Sequence, residues 1–110
     1  MKTKILMSIL LATNLFAISP YVKGYRLYIR YVKHIPKYGI KAPELLKQLG
    51  VKSSSEIDEL IKNGEIVKKV EKFNPKAAKG IERILKKGKQ KELSVFLKSV
   101  FNGEIPPGCD

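Results

Sequence analysis

The chain has 110 residues and carries 22 Lys and Arg against 10 Asp and Glu, a net charge of +12. That length suits one small domain. A single cysteine, Cys109, excludes an internal disulfide, so the fold has to stand on its apolar core. With one histidine beside it, the chain also falls short of the four N/S ligands of a structural zinc site.

Residues 1–17, MKTKILMSILLATNLFA, read as a secretory signal peptide. Lys2 and Lys4 form the positive start, Ile5 to Leu11 the apolar stretch, and Ala17 the small residue before the cleavage point. The apolar run breaks at Thr13-Asn14, too soon to span a bilayer as a helix. Cleavage removes Met1, Met7 and two lysines, leaving 20 basic residues against the same 10 acidic ones. Residues 18–110 then form a single small helical domain, expected to be periplasmic or secreted. No later run is long and apolar, so no transmembrane helix is expected in it. Export also removes nucleic acid as the partner that such charge would otherwise suggest.

The first helix is expected over residues 22–35. Tyr21, Tyr25, Tyr28, Tyr31, Val32 and Ile35 recur at three- and four-residue spacing, with Lys23, Arg26, Arg30 and Lys33 mostly on the other side. Pro36 ends it, because the residue before proline avoids the helical region. A second helix over residues 42–49 carries Pro43 at its start and Gly50 just past its end. The third opens in Ser53-Ser54-Ser55-Glu56, where Ser53 with Glu56, or Ser55 with Asp58, has capping-box spacing. Ile57, Leu60 and Ile61 face inward, and Asn63-Gly64 ends it. The fourth covers residues 65–73. Asn74-Pro75 caps the fifth, which buries Ala77, Ala78, Ile81, Ile84 and Leu85 and closes at Gly88. The sixth, over residues 91–101, places Leu93, Phe96, Leu97, Val100 and Phe101 on one face. Residues 104–110 form an irregular tail. No strand alternation and no repeat appears. The expectation is all-α, five to six short helices.

The segments KGYRLYIRYVK, EKFNPKA and NGEIPPGC, set around a helix–turn–helix stretch, resemble a family of small periplasmic helical proteins labelled cytochrome c-like. Gly24, Leu27 and Tyr28 match the first helix of that pattern, and Gly103, Ile105, Pro106 and Cys109 match its tail. The resemblance implies a shared scaffold with the first and last helices packed together. The family's two earlier cysteines would fall near Ile35 and Phe73-Asn74, where this chain has none, so no shared disulfide is implied.

The resemblance also raises haem. There is no C-x-x-C-H attachment motif, and without Met1 and Met7 the usual axial pair is missing. His34 is the candidate ligand, and its partner would have to be Lys or Tyr. Beside Lys33 and Lys37, His34 is more simply a helix-end histidine. The expectation is no cofactor. Glu56, Asp58 and Glu59 point in different directions from one helix and serve capping rather than calcium. Nothing places a base beside Cys109 or marks two carboxylates as a buried pair, so no enzyme is expected.

Two features remain. Cys109 is a candidate intermolecular thiol, for a disulfide-linked homodimer or a mixed disulfide, or else an idle one. Lys23, Arg26, Arg30 and Lys33, interleaved with tyrosines, are a candidate partner face, although the tyrosines serve first as core. These features point to a small exported, non-catalytic helical protein that binds within an envelope assembly. The alternatives are a degenerate cytochrome c-like haem-binding electron carrier and a cationic factor that binds an envelope or membrane surface.

Overall fold

The computed structural model describes residues 19–104, all-helical in architecture with no strand among them. The expected signal peptide and the tail residues Ile105, Pro106 and Cys109 lie outside the described residues.

Helix α1 spans Pro20–Tyr28 and continues as a π-helical segment over Ile29–Lys33. Ser19 caps it, its hydroxyl accepting from the Val22 N–H at 3.3 Å, and Pro20 takes the first turn, where no N–H is needed. The sequence suggests one regular helix through residue 35. Instead the last turn widens, with the His34 N–H bonding the Ile29 carbonyl five residues back at 3.2 Å. The helix stops at Lys33 because Pro36 follows and Lys37 turns left-handed at φ 69°. The Gly39 N–H then returns to the Ile35 carbonyl at 2.8 Å.

Four short helices cross next. Helix α2, Ala42–Leu49, ends on Gly50 in the left-handed region at φ 69°. Helix α3, Ser54–Lys62, is capped by the Ser53 hydroxyl, which accepts from the Glu56 N–H at 3.4 Å. The Glu56 carboxylate reaches back to the Lys52 N–H, one residue earlier than in the usual reciprocal box. Helix α4 is Glu65–Glu71, and α5 is Pro75–Lys86. The Asn74 side chain caps α5 through the Ala77 N–H at 3.1 Å and donates to the Tyr38 carbonyl at 2.9 Å, pinning the loop after α1 to the start of α5. Helix α6, Gln90–Phe101, closes the chain.

One apolar core joins all six helices. Phe96 of α6 lies near its middle, with the rings of Tyr28, Tyr25 and Tyr21 at 5.4, 5.9 and 6.0 Å. The first and last helices do pack together, and Gly24 allows it. A Cβ there would overlap the Glu92 carbonyl oxygen and come 2.7 Å from the Phe96 Cβ. Tyr28 is fully buried and its hydroxyl donates to the Ile40 carbonyl at 2.8 Å, while Tyr21 and Tyr25 are partly covered. The core expectation therefore holds completely for Tyr28 and in part for the others. Phe101 departs from it. It is 36% exposed, because Leu97 and Val100 already fill the seam and Phe101 lies a further 100° around the helix.

Candidate anion-binding face

Within residues 19–43 the charges are Lys23, Arg26, Arg30, Lys33, Lys37 and Lys41, with no Asp or Glu. The structure gathers the first four on α1 and its π segment. Lys23, Arg26 and Arg30 are exposed and Lys33 is partly so. Steps of three and four residues put these side chains one above another along the helix, about 5–6 Å apart. Like charges at that spacing repel, and the first turn carries no acid, while Arg30 and Lys33 lie in the last turn, where the helix dipole favours cations.

Beside the row is an open recess of about 600 Å³ lined by Tyr25, Arg26, Leu27, Ile29, Arg30 and His34. Its floor is apolar and its rim basic. His34 is exposed at the end of the π segment, so the structure brings this residue to the same face as Arg26 and Arg30. No group of three His, Cys, Asp or Glu side chains clusters among the described residues.

At its far side the row meets α5. The widened turn carries Tyr31 against that helix, where Gly80 takes the contact. A Cβ at Gly80 would overlap the Tyr31 carbonyl oxygen. The Lys87 ammonium lies 5.7 Å from the Tyr31 ring centroid. Lys87 above all, and then Arg30, hold the phenol's proton affinity below its ordinary value against the opposing effect of burial. Tyr31 was legible as a helix-face aromatic. Lys87 was not legible as its partner, because no local pattern links residues so far apart.

A second polar cluster ties α3 to α6. The buried Ser94 hydroxyl donates to Asp58 Oδ1, and the Lys98 ammonium lies 3.0 Å from Asp58 Oδ2. The Ser94 hydrogen bond and then Lys98 hold the Asp58 carboxyl below the usual carboxylate range. Asp58 thus ties α3 to α6, and the cap of α3 falls to Ser53 and Glu56 instead of the Ser55 and Asp58 pair. The one sequence signal was the placing of Ser94 and Lys98 four residues apart on α6. The cluster fastens the two helices to each other.

Compared with family models, curated proteins and solved structures, the chain matches none.

Proposed function

We propose that this chain is an exported, non-catalytic binding protein that holds an acidic protein partner of the cell envelope against the basic face of α1. The observation that carries the reading is the row Lys23, Arg26, Arg30 and Lys33 in a stretch with no carboxylate. Such a row attracts an anionic partner and speeds its arrival. The apolar floor of the recess supports a protein partner, because it offers half-buried Tyr25, Leu27 and Ile29 to a side chain. A membrane surface is less well served. Among the described residues the exposed large hydrophobics are Tyr38 and Phe101, and neither lines that recess. A haem-binding carrier is less well served too, since the described residues that line the recess come from one continuous helix and leave His34 exposed.

The test is titration with poly-L-glutamate at low salt. Lys23→Gln combined with Arg26→Gln should weaken binding about three- to thirtyfold. Lys47→Gln combined with Lys62→Gln removes the same charge from exposed positions elsewhere and should change it less than about twofold. Equal losses from the two pairs would reduce the effect to net charge and overturn the reading.

A further inference from the structure

We propose that α1 and α5 together hold an extended acidic peptide along the seam between them, with one basic row on each side of it. The inference rests on the reading of α1 as a binding face, and adds the second half of that face and the form of the partner. Three contacts align the two helices. The Asn74 side chain donates to the Tyr38 carbonyl at 2.9 Å, the bare backbone of Gly80 meets the Tyr31 carbonyl, and the Lys87 ammonium lies 5.7 Å from the Tyr31 ring centroid. The chain therefore runs in opposite directions through the two elements.

Tyr31 and Gly80 mark the edges that meet. After each comes a buried residue, Val32 and Ile81, and before each an exposed cation, Arg30 and Lys79. Antiparallel helices turn in opposite senses when viewed from one end, so these two cations emerge on the same side of the pair, away from the core. Lys76, Arg83 and, just past the end of α5, Lys87 are also exposed and lie within about 60° of Gly80 toward that side. The one acid of α5, Glu82, is about 160° round from Gly80 and pairs with Lys86 at 3.6 Å. No carboxylate of either helix stands between the two rows.

The form of the partner follows from the spacing. From Lys76 to Lys87 the α5 row is about 16 Å long, which an extended chain covers in about five residues. Successive side chains of an extended chain point to opposite sides, so one run of acids serves both rows, with alternate carboxylates reaching α1 and α5. On either side they recur every ~6.7 Å, close to the ~6 Å rise between helical residues four apart. Arg30 and Arg83, one in each row, offer planar forks that match a carboxylate.

The test titrates the full chain at low salt with hexaglutamate blocked at both ends, following the ¹H–¹⁵N resonances. Saturable shifts should centre on Arg30, Tyr31, Lys76 and Arg83. Lys76→Gln combined with Arg83→Gln should weaken binding about three- to thirtyfold, as should the Lys23 and Arg26 pair, while the Lys47 and Lys62 pair should change it less than about twofold. Thermal unfolding checks each variant, and Lys79→Gln combined with Lys87→Gln carries the test if the first α5 pair does not fold. A second peptide, six glutamates alternating with glycine, has the same charge with its carboxylates on one side. It should bind at least about fivefold more weakly.

Equal affinity for the two peptides, or linear shifts spread over the surface lysines, would overturn the proposal. Phosphatidylglycerol vesicles form the last arm. Sedimentation with them that depends on both rows and that hexaglutamate does not compete away would assign the face to a membrane and overturn the proposal as well. A loss from the Lys23 and Arg26 pair alone would remove the α5 row and leave the reading of α1 standing. A loss from the α5 pair alone would remove the reading of α1 and with it the two-row seat.

Discussion

At the scale of single residues, the least conspicuous side chains carry the tightest requirements. A glycine inside a helix ordinarily costs up to about 1 kcal/mol relative to alanine. At Gly24 that sign should reverse, because the alanine methyl would meet the Glu92 carbonyl and Phe96. Gly24→Ala should lower stability by about 1–3 kcal/mol in urea unfolding. Asp58 sets a second expectation. Its folded carboxyl titrates below the ordinary carboxylate range, so its contribution is complete above that range and is lost as pH falls through the lowered value. Half of the side chain is exposed, so the effect is modest. Asp58→Asn should cost about 0.5–1 kcal/mol near neutral pH and flatten the decline of stability below about pH 4. A decline as steep as in the parent protein would show that the Ser94 and Lys98 contacts carry no stability.

At the scale of elements, helix ends were more legible in the sequence than helix interiors. Pro43, Asn74-Pro75, Gly50 and Gly64 mark boundaries by backbone chemistry that acts locally, and the structure uses each of them, whereas the Ser19-Pro20 start of α1 lies two residues before the expected one. The π turn left no such mark. Tyr28, Tyr31 and Val32 fit a 3.6-residue period and a wider one equally well, and what decides between them is the contact with Gly80, far along the chain. The candidate face was legible in the same uneven way. Lys23, Arg26, Arg30 and Lys33 share a face by local spacing, whereas Lys87 joins them only through tertiary packing. Gly80→Ala should therefore act on the π segment rather than on α5. The two helices would be pushed apart, the Tyr31 and Lys87 resonances would shift, and stability should fall by about 1–3 kcal/mol. Unchanged Tyr31 resonances would show that Gly80 does not hold the turn in place.

At the scale of the whole molecule, charge and packing are arranged on different plans. The acids concentrate in the middle of the chain, with Glu44, Glu56, Asp58, Glu59, Glu65 and Glu71 on α2 to α4, while α1 has none. The packing instead closes the two ends of the described chain upon each other. Tyr21, Tyr25 and Tyr28 gather on Phe96, and the Tyr21 hydroxyl donates to the Glu104 carbonyl at 3.2 Å.

That closure sets the timing of folding. The ring on which the first helix rests lies far along the chain from it, so α1 has no seat until α6 exists. Closure of α1 therefore waits for α6. Its contacts span long loops, which slows closure without weakening the folded state. A circular permutant that joins residue 104 to residue 19 through a short Gly-Ser linker and opens at the exposed Gly88 turn would make that contact local. It should refold measurably faster than the parent in stopped-flow experiments, and an unchanged rate would mean that closure of α1 on α6 does not limit folding.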